Sequence, residues 1–309
     1  MILMVSVQNL HEAVEAIEGG ADIVDVKNLQ EALVGSAEPS LVRDVRARVP
    51  IPHHASVTLG VVPNQIGTVA MATYAAGALN ATSVKVGFMN TRYEEAVATL
   101  KACRDALDGF ETKLIGSLFA DNLLYGGLEP RRICELAVEG NCEGWLIDTL
   151  VKDGRNLFDF IPENELAEMV FHGKTQGMST ALSGHLKIDD LDELARINPD
   201  IVGVRGAVCA AGERKEGVHR EAVAEFKNQL TRRQSGEVQV RNSNGIPSQD
   251  VADWYLVDGT GQNCASILAA LNEQVERNGD AIIEVIMPDV LNSYDIVIWA
   301  EKQGHNILT

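Results

Sequence analysis

Two lysines sit where a lysine is costly. Lys27 closes the apolar run Ile23-Val24-Asp25-Val26-Lys27, and Lys85 lies inside Ser83-Val84-Lys85-Val86-Gly87. An ammonium among valines costs free energy unless it is paired or neutral. Burial and a neighbouring cation both favour the neutral amine, and a neutral amine attacks a carbonyl to form a Schiff base. A carboxylate or second lysine can then move protons during carbinolamine loss and enamine formation. Asp25 and Asp148 are the carboxylates at hand, and Lys152 follows Asp148 in the run Ile147-Asp148-Thr149-Leu150-Val151-Lys152. A lone lysine of this kind is as readily a structural ion pair, Lys27 with Asp25. Two strand lysines together with Asp148 and Lys152 favour catalysis.

Such groups need elements that aim them at one place. Short apolar runs recur at Ile2–Val7, Ile23–Lys27, His53–Val57, Ser83–Gly87, Lys113–Phe119, Gly144–Asp148, Thr180–Ser183 and Ile201–Arg205. Between them lie helix-like stretches such as His11–Glu18, Tyr93–Leu107, Pro130–Glu139, Glu163–Gln176, Ile188–Arg196 and Glu221–Leu230. Strands alternating with helices imply βαβ units and a parallel sheet. Eight units favour a closed (β/α)8 barrel, an α/β fold whose active-site loops open at the carboxyl ends of the strands. Strand alternation puts Asp25 and Lys27 on one face, and Ser83 and Lys85 on one face. No G-x-G-x-x-G follows the first strand, so a dinucleotide site is not expected.

A phosphate site is expected after the last two strands. Strand seven ends in Leu182-Ser183-Gly184-His185 and strand eight in Val204-Arg205-Gly206. The two turns offer close backbone N–H groups, with Ser183, Gly184, Arg205 and Gly206 as the binding set, and Arg205 adds a charge-assisted bond. Asp121, just past strand five, is either an assisting carboxylate or a cap for the segment that follows. His53-His54 is an unpromising metal pair, because adjacent strand residues face opposite ways, so no metal and no cofactor is expected.

The chain has 309 residues and a net charge of −18, with no long basic run, which argues against nucleic acid or an anionic membrane as partner. A small phosphorylated molecule is the expected ligand, and a homo-oligomer the expected assembly. The five cysteines include no C-x-x-C pair, so a reducing cytoplasm is expected. The start, MILMVSV, lacks a basic region and reads as a strand rather than a signal peptide. The barrel pattern spans 1–234. Residues 235–249, with Asn-Ser-Asn-Gly-Ile-Pro-Ser, read as a linker. Residues 250–309 read as a small two-layer α/β domain: a strand near Trp254–Val257, a helix over Cys264–Arg277, a strand over Ala281–Ile286, a helix near Asp289–Gln303 and a final short strand.

Four separated segments, in this order, resemble one family. They are Asp22-Ile-Val-Asp-Val-Lys-Asn28, Ser83-Val-Lys-Val-Gly87, Ile147-Asp-Thr-Leu-Val-Lys-Asp-Gly154 with Leu157-Phe-Asp-Phe160, and Asp200-Ile-Val-Gly-Val-Arg-Gly-Ala207. The family is (5-formylfuran-3-yl)methyl phosphate synthase, also called 4-(hydroxymethyl)-2-furancarboxaldehyde-phosphate synthase, and the resemblance covers essentially all of 1–232. It implies a lyase of methanofuran or methylofuran biosynthesis that joins two molecules of glyceraldehyde 3-phosphate and releases phosphate and water. It implies that Lys27 forms the Schiff base, and that Lys85, Asp148 and Lys152 transfer protons and stabilise charge. Two loops depart from the family pattern. Asn28 is not followed by Pro and a Gly-Ser-Leu-Gly run, and Gly60-Val61-Val62-Pro63 carries Val in place of Asp.

The tail resembles the TusA-like sulfur-carrier domains, most clearly at Ile298-Trp-Ala-Glu-Lys-Gln-Gly-His305. Those domains carry Cys-Pro-x-Pro at the first helix, whereas here the helix starts Cys264-Ala265-Ser266-Ile267, without either proline. Two further readings stand beside the synthase. One is a different Schiff-base aldolase acting on phosphorylated sugars, and the other is a sulfur-carrier or docking module with the barrel as scaffold.

Overall fold

The structure is a computed structural model that describes residues 1–29, 35–49, 53–151, 153–209, 216–241, 254–259, 264–277, 282–286, 290–305 and 307. Lys152 and residues 242–249 of the expected linker lie outside the described residues. The chain divides into two compact units, Met1–Asn242 and Ser243–Thr309.

The first unit alternates strands and helices throughout: β1 (Ile2–Val7), α1 (Leu10–Glu18), β2 (Ile23–Val26), α2 (Pro39–Arg48), β3 (His54–Val61), α3 (Ile66–Ala78), β4 (Ser83–Gly87), α4 (Tyr93–Ala106), β5 (Lys113–Phe119), α5 (Ile133–Glu139), β6 (Gly144–Asp148), α6 (Glu163–Thr175), β7 (Ser179–Leu182), α7 (Leu191–Ile197), β8 (Ile201–Val204) and α8 (Arg220–Gln234). All eight strands pair in parallel, and β1 meets β8 through Ile2↔Ile201 to Val5↔Val204, which closes the barrel. The (β/α)8 architecture is the one the apolar runs imply.

Period-two alternation sorts each strand into two cores. Outward residues such as Leu3, Val5, Val24, Val84, Leu114, Trp145 and Val202 join the main core against the helices. Inward residues Met4, Ile23, Ile115, Leu146 and Ala181 form a separate plug inside the barrel. Two residues further along β1, β2 and β5 the inward residues turn polar, at Ser6, Asp25 and Ser117, and with Ser56 on β3 and Lys85 on β4 all five are buried. The plug thus forms the floor of a polar chamber at the carboxyl ends of the strands.

Two helices, α2 and α3, complete the set beyond the stretches picked out by periodicity. Helix α3, Ile66-Gly-Thr-Val-Ala-Met-Ala-Thr-Tyr-Ala-Ala-Gly-Ala78, has no charged residue to mark a solvent face. Strand β3 runs on to Val61, past the expected Val57, and its pairing with β4 shifts register between Thr58 and Val61. Gly60, in the left-handed region at φ 79°, sits at that irregularity.

The second unit contains β9 (Trp254–Asp258), α9 (Cys264–Arg277), β10 (Ile282–Ile286) and α10 (Val290–Gln303), with β9 and β10 parallel. Val257, Ile267 and Leu271 form its core, with Ile283, Val285, Ile296 and Trp299 packed around them. Cys264 is the first residue of α9. The expected last strand falls on the end of the chain, where residues 306, 308 and 309 lie outside the described residues. Gly304 turns left-handed at φ 78°, and the His305 N–H bonds back to Ala300 O at 2.9 Å, which caps α10. No helix among the described residues is long and apolar enough to cross a membrane.

Candidate active site

Asp25 is the hub of the chamber. Its carboxylate is fully buried and accepts from Ser56 Oγ at 2.8 Å and from Thr58 Oγ1 at 3.0 Å. Lys27 Nζ stands 3.1 Å from it, and Lys85 Nζ is in direct contact on the other side. Lys85 also donates to Ser56 Oγ at 2.8 Å. The register explains the convergence, since Asp25 pairs across β3 with Ser56, and Thr58 pairs with Lys85 on β4. Burial alone would lift the Asp25 carboxyl, but the ammonium groups of Lys85 and Lys27 outweigh it and hold it far below the usual carboxylate range. For Lys85, burial pushes the amine down. Asp25 opposes this and Lys27 reinforces it, and the net direction is below the ordinary amine range.

Asp148 ends β6 and faces the same chamber as Lys27 and Lys85. One carboxylate oxygen accepts from Thr149 N at 2.7 Å, and its main-chain carbonyl accepts from Ala120 N at 2.7 Å. The cleft has two parts that share Lys27 and Asp148. The outer part, about 390 Å³, is bordered by Ser6, Ser183, His185 and the Arg205-Gly206 turn. The inner part, about 320 Å³, is bordered by Thr58, Lys85, Ser117 and Phe119. The structure therefore brings Asp25, Lys27, Lys85, Asp148, Ser183, Arg205 and Gly206 to one mouth.

Gly184 lies just behind the outer part. Its φ of +119° and a Cβ position only 2.9 Å from Thr149 Cγ2 leave no room for a side chain, so the β7 turn can hold this shape only with glycine. Arg205 takes a different orientation from the open fork expected of it. Its Nη1 donates to Ser6 O and Glu12 Oε2, both at 2.8 Å, and its Nη2 donates to Glu12 Oε1 at 3.0 Å. Only Nε is without a partner among the described residues. Burial would raise Glu12, but Arg205 outweighs it and the carboxyl lies below its ordinary value. The pair ties β8 to the first turn of α1, whose Asn9 cap accepts from Glu12 N at 2.9 Å.

Asp121 acts as a clamp. Its two carboxylate oxygens accept from Leu150 N and Val151 N, both at 2.8 Å, and so fix the loop that follows Asp148. His53 and His54 stand at the opposite, amino end of β3. Among the described residues no group of three or more His, Cys, Asp or Glu is placed to hold a metal. Sequence reasoning passed over Glu12, Ser56, Thr58 and Ser117. Ser56, Thr58 and Ser117 share the inward parity of Asp25 and Lys85, a signal that was available once those two faces were assigned. Glu12 carries no such mark, being one acid among several on an amphipathic helix.

A closed parallel barrel with a lysine–aspartate–lysine cluster at its strand ends defines a (β/α)8 enzyme working at the carboxyl face. The chain belongs to the 4-HFC-P synthase family, whose model matches residues 3–227. A relative from Methanopyrus kandleri, (5-formylfuran-3-yl)methyl phosphate synthase, is 40% identical over 71% of this chain and 93% of its own length. Relatives with the same description from Methanothermobacter thermautotrophicus and Methanocaldococcus jannaschii are 40% and 38% identical, each over 74% of this chain and 99% and 98% of their own lengths. Those proteins have almost no length left over to match the second unit. Solved structures share the barrel alone. Thiamine phosphate pyrophosphorylase from Pyrococcus furiosus aligns at TM-score 0.51 and 14% identity over 75% of this chain and 96% of that one. 3-Hexulose-6-phosphate synthase from Salmonella typhimurium aligns at TM-score 0.51 and 14% identity over 74% of this chain and all of that one.

Proposed function

We propose that the barrel condenses two molecules of glyceraldehyde 3-phosphate into (5-formylfuran-3-yl)methyl phosphate, through a Schiff base on Lys27, as a lyase of methanofuran or methylofuran synthesis. The observation that carries this reading is the shared carboxylate. Asp25 holds two buried amines side by side, and Lys27 is the one that borders both parts of the cleft. The balance closes without any redox partner: two trioses, C6H14O12P2, become C6H7O6P plus one phosphoric acid and two waters.

Lys27 attacks the aldehyde, and the carbinolamine loses water to an iminium. Loss of the proton on the adjacent carbon gives the enamine, which expels phosphate or attacks the second carbonyl. Lys85, held below the ordinary amine range by burial, is the nearby proton carrier, and Asp148 serves the other side of the same amine. The backbone N–H groups of Gly184 and Gly206, with the Ser183 hydroxyl, hold the retained phosphate. Lys152 supplies a cation to the departing one. Arg205 contributes its remaining Nε–H and the shape of its turn.

Incubation with glyceraldehyde 3-phosphate and borohydride is expected to add the triose mass to Lys27, and product analysis to show free phosphate with an ultraviolet-absorbing furan aldehyde. Lys27→Ala is expected to lose the adduct and roughly 10³-fold or more of the turnover. An unlabelled Lys27 with activity kept in Lys27→Ala overturns the reading. A reversible aldol product without phosphate release moves it to another Schiff-base aldolase.

A further inference from the structure

The inner part of the cleft contains one polar group with nothing to bind. Ser117 lies on β5, buried to 4% exposure, and its Oγ has no hydrogen-bond partner among the described residues. Its neighbours Ser56 and Thr58 are engaged, both donating to Asp25. A buried hydroxyl left unpaired is destabilising, and native structures avoid it unless the group has another use.

On the β4 side the ladder beside Ser117 carries no side chain, because its partner there is Gly87, while its partner on β6 is Leu146. A Cβ on Gly87 would stand 2.8 Å from Gly60 O and 3.1 Å from the Phe119 ring, so glycine there is needed for the wall to close this tightly. Ser117 thus borders a small space lined also by Phe119, Lys27, Lys85 and Asp148. An apolar wall with one unpaired hydroxyl is suited to a short carbon chain that bears an oxygen.

We infer that Ser117 is a substrate-contacting residue, whose hydroxyl hydrogen-bonds the oxygen on the carbon next to the imine when a triose is joined to Lys27. The inference rests on the reading of Lys27 as the Schiff-base lysine. The contact holds that carbon in one orientation, so that its proton faces the amine of Lys85 or the carboxylate of Asp148. It also selects 2-hydroxy aldehydes over aldehydes without that hydroxyl, because the unpaired serine is left unsatisfied by the latter.

The test compares borohydride trapping of the full chain by glyceraldehyde 3-phosphate and by 3-oxopropyl phosphate, the same molecule without its 2-hydroxyl. Labelling of Lys27 is read by mass spectrometry across a concentration series. The parent is expected to reach half-labelling with glyceraldehyde 3-phosphate at roughly 10-fold lower concentration or less. In Ser117→Ala the two compounds are expected to converge, with labelling of Lys27 retained. Ser117→Ala is also expected to unfold at a temperature no lower than the parent, because it removes a hydroxyl that nothing in the protein satisfies. A preference that survives in Ser117→Ala, or a parent with no preference, overturns the inference and leaves the Lys27 reading standing. A parent that labels with neither compound overturns both.

Discussion

Asp25 holds two lysines, whereas Glu12 holds one arginine. Both clusters are buried at the same end of the barrel, and the difference between them separates chemistry from architecture. The Glu12–Arg205 pair is balanced in charge, with side chains only 4% exposed, and is bidentate at 2.8 and 3.0 Å. Arginine stays charged at every working pH and its planar fork suits a carboxylate. Such a pair locks β8 against α1 across the seam where β1 meets β8. The Asp25 cluster has one carboxylate for two amines, and lysine is the cation that burial can neutralise. An excess buried cation on a lysine is a reactive group in waiting, while a matched arginine is a rivet.

The sharpest way to break this comparison is to remove the carboxylate from each cluster in turn. Asp25→Asn leaves two ammonium groups facing one another in a closed chamber. Stability is expected to fall by roughly 3–5 kcal/mol, as when one partner of a buried pair is lost, and turnover by about 10²–10⁴-fold. The pH dependence separates the ion pairs further. Asp25 in the folded chain ionises far below its ordinary 3.8. Its contribution to stability is therefore complete above about pH 4 and is lost as pH falls towards the folded value. Lys85 is displaced below its ordinary 10.5. The unfolded chain then binds more protons in the alkaline range, and stability rises as pH climbs towards about 10.5. Denaturant unfolding across pH is expected to show both slopes in the parent. The acid slope should flatten in Asp25→Asn and the alkaline one in Lys85→Met. If both slopes persist unchanged, the lysine cluster is not the titrating element.

Glu12→Gln is expected to cost about 3–5 kcal/mol as well, because Arg205 is left charged and buried without its carboxylate. Here most of the loss should return in the double variant Glu12→Gln with Arg205→Met, and the alkaline slope should be the same as the parent's, since arginine does not titrate there. Turnover per folded molecule is expected to change far less than in Asp25→Asn. Equal losses of turnover in the two carboxylate variants would erase the distinction between rivet and reactive group.

The same contrast explains what could be read from the amino-acid order. Lysine between valines at a strand end is a conspicuous violation of local preference, and strand parity puts Asp25 with Lys27 on one face and Ser83 with Lys85 on one face, while only the closed barrel turns those faces inward. Glu12 violates nothing, as an acid in the first turn of a helix is ordinary, and its partner lies 193 positions away. Ser117 sits in Lys113-Leu-Ile-Gly-Ser-Leu-Phe119 as an unremarkable small residue. Its importance appears only when its hydroxyl is found unpaired beside the engaged Ser56 and Thr58. Helix α3 shows no polar stripe, and the extension of β3 past Val57 depends on a register shift that no pattern of residue types announces. Lys152 was legible as chemistry, yet it lies outside the described residues.

Asp121 belongs to neither cluster and supplies the smallest of these effects. Its carboxylate touches no lysine of the chamber in the contacts above. It accepts the N–H groups of Leu150 and Val151 at 2.8 Å each, and so sets the path of the chain immediately after Asp148. Asp121→Ala leaves both N–H groups unsatisfied and is expected to lower turnover by about 10²-fold through misplacement of Asp148 and the residues that follow. Asp121→Asn can accept one of the two bonds and should fall between Ala and the parent. In both variants labelling of Lys27 by borohydride should persist, because its partner Asp25 sits on β2, Lys27 directly follows that strand, and neither is held by this loop. Loss of the adduct in Asp121→Ala would mean that the β6 loop shapes the lysine itself, and the line drawn between the amine cluster and its supports would have to move.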